Sequence, residues 1–495
     1  MAVTESADAA HEVRAGRLGM GMLSIYGSGS LVETVINFAL GQFLLFYLTI
    51  VCGLSGVLAG AVGILALTVD AFIDPLIGSL SDNLGWKFGR RHPFLIGAPI
   101  PTGLFLVLLF LIPSHVAGPV LFVCAILLSL AVRIGLSCFQ VPYFALGAEM
   151  SDDYAERSTI VAARVAFGVI GTLLVTALSY GLFLAGKGAT THAAAYPPMM
   201  LCFAAIIVFG GLLSGFGTLG ARSRMHAAPP QSGPRLAALA AEVREIFRNR
   251  SFRVLFSAIL LFFVAQGVAT PLTLYANTYF WKISTLQIRD LTFIFTGGLA
   301  AGIVLTGFLS RWVEKRTVAL TGVFLFLVSE LVPAPLRVLG LLPTMASAML
   351  VLTIAVIALG LGTAAALIGY QSMMADAADE HEHLFGARRE GLYFAGINFS
   401  GKVSTGLGTL IAGVVLDLIG FPHGVAGGGI VGAIPAHTVT ELGLIYGPGA
   451  AIVSFMSVTI LFAYRLDRAR HAAILQALGR GGVSSPSRPV APAAR

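Results

Sequence analysis

The sequence predicts an all-α membrane protein of twelve transmembrane helices in two six-helix bundles, with both termini cytoplasmic. Three observations predict it. Of 495 residues, 57% are hydrophobic and only 11% charged, against about 45–50% apolar (glycine included) and about 25% charged in a soluble globular chain. Twelve mostly apolar runs are each long enough to cross about 30 Å of hydrocarbon. The basic residues then alternate in sidedness along the chain. Mean hydropathy is +0.87. This composition excludes a soluble enzyme, a disordered scaffold and a disulfide-stapled secreted domain. Unbroken apolar runs such as 104–112 exclude an outer-membrane barrel, whose strands are alternating segments of about 10 residues.

Taken in order, residues 1–20 form a polar N-tail. It lacks the basic start, apolar core and cleavage site of a signal peptide, so the first span is expected to serve as an uncleaved start signal. The first bundle covers 21–220, with spans at 21–50, 54–82, 93–113, 118–149, 157–186 and 196–220. The wettest stretch, 221–252, reads as a cytoplasmic linker with a short amphipathic helix carrying Val243, Ile246 and Phe247. The second bundle covers 253–465, with spans at 253–281, 288–311, 317–336, 341–375, 389–420 and 444–465. The Gly-rich stretch Phe421–Gly432 is expected outside. A cytoplasmic tail over 466–495 begins with a short apolar stretch and is expected to be disordered, as its Ala, Gly, Ser and Pro content from Gly479 suggests.

The basic residues test this threading. Of 31 Lys and Arg, 24 fall on the cytoplasmic side, four (Lys187, Lys282, Arg289, Arg337) outside and three (Arg133, Arg164, Lys402) within spans. That asymmetry is what sets orientation in a membrane. It also accounts for the net charge of +7 without nucleic acid. The four cysteines are scattered through apolar stretches with no CxxC, so neither a disulfide framework nor a zinc site is indicated. A monomer is expected.

An ionisable group at mid-bilayer costs about 2.5–3.5 kcal/mol on insertion scales. It persists where it is paired, wetted or useful. Six such groups stand out: Glu33, Asp70, Asp74, Arg133, Arg164 and Lys402. Asp70 and Asp74 are spaced i, i+4, which stacks them on one helix face. Two carboxylates that close repel, so one takes a proton or a cation sits between them. Pro75 follows and loosens the ladder there. Arg164 and Lys402 read as counter-charges that pair with the aspartates when the cation leaves; the alternative is a static network in which the aspartates merely neutralise these two. Arg133 either joins that network or pairs with Glu33. Glu33 is a substrate or proton group, or a solvated group near a span end. Ser137 offers a hydroxyl to the ion, and Gln140, one turn on, an amide to a substrate hydroxyl. Either could equally bond a neighbouring helix. Tyr370, Gln371, Tyr393 and Asn398 are candidate substrate contacts with a core role as the alternative. Trp281 reads as an interfacial belt residue.

Three motifs carry a family resemblance. The first is Asp70, Asp74, Pro75, Gly78 and Asp82, leading to Phe88, Gly89, Arg90, Arg91 and Pro93. The second runs from Val141 and Pro142 through Glu149 to Asp153, Glu156, Arg157 and Arg164. The third is Met374 and Asp376, then Gly386, Arg388, Arg389, Glu390 and Tyr393, ending at Lys402. Together they resemble the glycoside–pentoside–hexuronide:cation symporters, the melibiose-permease-like branch of the major facilitator superfamily. Six spans plus six around a basic central loop fit that superfamily, whose halves rock about a midplane site.

The resemblance implies that Asp70, Asp74 and Ser137 bind the coupling ion (Na⁺, Li⁺ or H⁺) and that Arg164 and Lys402 are the family's span 5 arginine and span 11 lysine. The family's sugar-binding acids fall here on Thr34, beside Glu33, and on Gln140; an asparagine before the second aspartate is replaced by Ile73. The expected activity is therefore cation-coupled symport of a glycoside or other small sugar-like solute. Related lysolipid symporters share the ion site, which makes an amphipathic substrate the alternative. A non-transporting membrane assembly or sensor protein is a third reading. Gly78, Asp82, Gly89, Arg90 and Arg91 are expected to hold cytoplasmic helix ends together and to release as they separate. No catalytic nucleophile–base pair, metal cluster or phosphate loop is evident, so neither an enzyme nor a cofactor is expected.

Overall fold

A computed structural model describes residues 18–83, 89–113, 116, 118–151, 153–186, 188–220, 242–387, 389–424 and 434–480. The N-tail before Leu18, most of the linker, residues 425–433 of the Gly-rich loop and the tail after Arg480 lie outside them. Among the described residues, eleven helices are long and apolar enough to cross a membrane. In chain order they are α2 (Gly56–Asn83), α3 (His92–Leu109), α4 (Gly118–Glu149), α5 (Ala155–Phe183), α6 (Ala193–Gly220), α7 (Arg250–Phe280), α8 (Thr285–Leu309), α9 (Lys315–Val338), α10 (Met345–Phe385), α11 (Glu390–Leu418) and α12 (Ala436–Leu461).

The first apolar run, α1, is helical in four successive pieces: Met20–Gly27, Ser30–Phe38 and the π-helical turns Ala39–Leu44 and Tyr47–Val51. Its break at Gly27 and Gly29 has a steric cause. A Cβ on either would lie 2.5 Å from the ring of Phe167 or Tyr143. Small residues let helix backbones approach where lipid supplies no hydrophobic drive between them. The same logic seats Gly211 and Gly215 of α6 against Pro99 and Leu95 of α3.

Helices α1–α6 pack among themselves, as do α7–α12. Across the halves, α2 lies along α11, and α1 meets α7 as α5 meets α8. These contacts concentrate at one end of the molecule. There Gly56 faces Gly413 and Gly60 faces Leu410, Thr49 bonds Tyr275, and Phe46 packs edge-on to Tyr275 with centroids 4.9 Å apart. Asp417 at the end of α11 accepts from the first N–H groups of α2, Gly56 (2.7 Å) and Val57 (2.8 Å), where a helix N-terminus favours an anion. One apolar core joins both halves at this end; a second core belongs to the second half alone. The glycine seam ends at Gly406 against Ile64 and Leu67; we call the end beyond it the open end.

Two expectations change. Trp281 is buried (1% exposed), its ring packed on Phe280 with Arg337 over it, and is no belt residue. The start of the C-tail is ordered: Arg468–Ala477 forms a helix, α13, capped by Asp467 and pinned to α10 through Arg470–Glu380 (3.0 Å) and His471–Asp379 (3.1 Å). The close of the linker is also anchored. Ile246 is buried and Phe247 packs on Phe252 and Phe256, while Glu242 and Glu245 reach Arg389 (2.9 Å) and His381 (3.3 Å).

Candidate functional site

Helix α2 carries Asp70 and Asp74 one turn apart and runs unbroken through Pro75. Proline brings no N–H and leaves the carbonyl of Ala71, four residues back, without its ladder donor. Both aspartates turn inward, toward α4 and α11. Ser137 of α4, fully buried, contacts Asp70 and stands 2.7 Å from Asp74 Oδ1. A hydroxyl has a single proton to donate, so it serves one carboxylate at a time. From the other half, Lys402 Nζ lies 2.6 Å from Asp74 Oδ2 and 2.9 Å from Asp70 Oδ2. The Asp70 contact is an ion pair at poor hydrogen-bond angle, since Asp70 Oδ2 accepts no aligned bond.

The exposure of the group is graded. Asp70 is 1% exposed, whereas Asp74 and Lys402 side chains keep 29% and 22%. The site therefore opens to solvent past Asp74 and closes behind Asp70. Two like charges about 4 Å apart repel by about 4 kcal/mol at an effective dielectric of about 20. The ammonium between them removes that repulsion, and it is the one group of the cluster that comes from the second half.

The other in-membrane charges separate into two places. Arg133 is buried and donates to Asn37 Oδ1 of α1 at 2.9 Å; it forms no ion pair with Glu33, and its charge acts instead on Asp70 and Asp74. Glu33 sits well inside α1, not at its end. It shares a cavity with Arg164, and the charges of Arg164 and Lys402 act on it. Arg164 does not join the aspartates. It stacks on Phe144 at 4.2 Å and faces Tyr26 and Glu33. Glu33, Thr34, Asn37 and Arg164 line a cavity of about 400 Å³ between α1 and α5.

Two candidate substrate contacts, Tyr370 and Tyr393, lie in the core. Tyr370 is buried in the core of the second half, its hydroxyl 2.9 Å from Ser457 Oγ. Tyr393 is fully buried against Phe252 and His381. Gln371 and Asn398 are exposed. Helical spacing could not tell core from cavity for the two tyrosines, because it fixes a face and not what that face meets.

The loop motif ties helix ends to one another. Arg91 holds Asp82 (2.5 Å), Glu149 (2.9 Å) and Ser81 (2.6 Å), and Arg90 holds Glu149 (2.8 Å). Gly89 makes the turn at φ +95°, a backbone region open to glycine. Gly78 meets only Val141, at ordinary contact distance. This clamp ties α2, α3 and α4 within one half. Its counterpart in the second half is Lys315–Asp376 (2.6 Å).

One in-membrane acid escaped the sequence reading. Glu330 of α9 is 6% exposed. A lone acid within the apolar run 317–336 was the available signal. Among the described residues no group of three or more His, Cys, Asp or Glu is arranged to hold a metal ion.

Comparison with known proteins places these features. Residues 25–468 match the model of the MFS/sugar transport protein family. The isoprimeverose transporter of Lactiplantibacillus pentosus is 23% identical, over 88% of this chain and 86% of its own. The sodium-dependent lysophosphatidylcholine symporter 1-B of Danio rerio is 30% identical, over 34% of this chain and 32% of its own. Among solved structures, a variant of the nucleoside transporter NupG superposes with a TM-score of 0.62 at 14% identity, covering 89% of this chain and 99% of that one.

Proposed function

We propose, from the premise that the chain belongs to the MFS/sugar transport protein family of glycoside–pentoside–hexuronide:cation symporters, how its charged centre drives transport. The protein is an integral, multi-pass secondary transporter that couples a monovalent cation to a sugar-like solute by alternating access. The observation that carries the mechanism is Lys402 Nζ lying between Asp70 and Asp74, 2.9 and 2.6 Å away. The ammonium stands where a coupling cation would stand.

Positive-inside sidedness puts the glycine seam at the outer end, which supports reading the conformation as inward-facing. In the empty carrier Lys402 neutralises the aspartates. The halves can then close over the site without burying two bare carboxylates, which would cost several kcal/mol per ion. A cation (Na⁺, Li⁺ or H⁺) arriving at Asp70, Asp74 and Ser137 takes over that role and frees Lys402. The released ammonium then faces Glu33, which with Gln140 and Arg164 is offered to solute. Ion occupancy and solute affinity rise together through one lysine, which is a coupling free energy in the ordinary sense.

The test is purified protein in liposomes with an imposed Na⁺ or H⁺ gradient and a panel of labelled sugars. Wild type should accumulate a sugar; Asp70→Asn and Asp74→Asn should not. Normal accumulation by both variants would end the coupling assignment. The likeness to a sodium-dependent lysophosphatidylcholine symporter favours an amphipathic substrate as the second reading. Lysophosphatidylcholine uptake in the same vesicles, with no sugar moved, would establish it instead.

A further inference from the structure

The second half contains a polar chamber that the ion site does not use. It has a volume of about 200 Å³ and is lined by Gln42, Gln266, Thr270, Asn277, Glu330 and Thr363 among apolar residues. Five of the six come from α7, α9 and α10. Gln42 comes from the first half, on the first π-helical turn of α1, a kind of distortion that recurs at functional sites. A narrower recess of about 30 Å³ continues past Glu330 and Tyr446 to Trp281.

What marks this chamber is how much of its hydrogen-bonding capacity is unspent. Among the described residues, the side chains of Gln42, Gln266, Asn277 and Glu330 make no hydrogen bond or ion pair with protein. Asn277 and Glu330 are only 7% and 6% exposed. Gln42 and Gln266 are half-buried, and the polar atoms of all four stay open to the chamber, free to bond what enters it. Three carboxamides and a carboxyl left free, aimed into one space and contributed by both halves, describe a site awaiting a ligand.

We infer that this chamber binds a neutral polyhydroxylated ring of monosaccharide size and excludes uronic acids. Each carboxamide offers a donor and an acceptor side by side, the complement of vicinal hydroxyls. Glu330 meets a further hydroxyl. No lysine or arginine lines the chamber, so a solute carboxylate would face Glu330 with nothing to balance it. The volume falls below the about 300–1,000 Å³ of drug-sized sites, which fits one ring and not a lysolipid chain. Because Gln42 alone reaches in from the first half, a bound ring bridges the halves at the closed end. This inference rests on the sugar-symport reading for its substrate class, but its test does not depend on coupling.

Trp86→Phe with Trp312→Phe leaves Trp281 as the sole tryptophan of the three, beside the recess. Titration of the full-length protein in nanodiscs with D-glucose, D-xylose, D-glucuronate and D-glucosamine, followed by Trp281 emission, reads occupancy directly. D-glucose or D-xylose should bind, and D-glucuronate at least about tenfold more weakly. Gln266→Ala, Asn277→Ala and Glu330→Ala should each raise the dissociation constant about tenfold, as loss of one hydrogen bond in a closed site does. A cation-dependent rise in melting temperature, reporting on Asp70 and Asp74, confirms that each variant is folded.

Three results would overturn the inference: unchanged affinity in Gln266→Ala and Asn277→Ala, glucuronate or glucosamine binding at least as tightly as glucose, or no neutral sugar binding to wild type. Should sugar bind as described while no cation gradient drives its accumulation, the coupling mechanism fails and the chamber assignment stands.

Discussion

The two ends of the molecule are held by opposite chemistry. At the closed end the halves meet across a dry seam, Gly56 on Gly413 and Gly60 on Leu410, finished by aromatic contacts and a single carboxylate cap from Asp417. At the open end the bonds are ionic, and every one described stays inside its own half: Arg90 and Arg91 with Asp82 and Glu149, Lys315 with Asp376. The difference assigns the work. Salt bridges keep each half rigid, while the contact that must be made and broken in each cycle is van der Waals packing, weak per atom and strong in sum. Only Lys402 carries charge across the divide at the centre, and there it is replaceable by an ion.

This contrast can be broken at four places, the most disruptive first. Gly413→Leu puts a side chain where even a Cβ would lie 2.0 Å from Gly56 O. Overpacking of about 3 kcal/mol shifts a two-state population about 100-fold, so the closed end should open. A cysteine placed at Thr49, buried and bonded to Tyr275 across the seam, should then become reactive to a membrane-impermeant thiol reagent added outside, and solute flux should collapse; an unreactive cysteine with normal flux would show the seam is no gate. Lys402→Met removes the competitor for the aspartates. Cation affinity, read by isothermal titration, should rise about tenfold, within the usual about 1–3 kcal/mol of site coupling, while net transport slows because the empty carrier cannot neutralise its site.

Arg91→Ala, at an open-end clamp whose arginine side chain is 7% exposed, should lower stability by about 2–3 kcal/mol in thermal unfolding and leave cation affinity unchanged. Equal loss of cation affinity would mean the clamp is part of the switch. Lys315→Ala should matter least. Its side chain is 42% exposed, and such pairs contribute about 0–1 kcal/mol; a shift in melting temperature as large as that of Arg91→Ala would overturn the distinction between the two clamps.

Much of this was legible in the chain, though unevenly. The spacing of Asp70 and Asp74 announced a shared face, and Ser137 and Lys402 were legible as partners. The separation of Arg164 from that group was not. Nothing in its spacing says that Phe144, on another helix, offers a ring 4.2 Å from its guanidinium. Asn37 as the partner of Arg133 was hidden for the same reason. Tyr370 and Tyr393 drew attention as aromatic residues near polar ones, yet their rings fill the core. Glu330 was missed through oversight of an available signal, but its importance was unreadable, since its free carboxyl depends on what α1, α7 and α10 place around it.

The chain by itself determined that this protein lives in a bilayer, spans it repeatedly with helices, and carries a pair of acids that demand a cation. Those follow from sums and spacings: transfer free energy adds along a run of residues, and a helical turn fixes which neighbours share a face. Only the tertiary structure decided that a lysine from the other half sits between the acids, that the arginine clamps stay within one half, and that four polar side chains were left unbonded in one chamber. Each of those turns on how helices are rotated and how closely glycines let them approach, and helix rotation is set by packing between segments far apart in sequence.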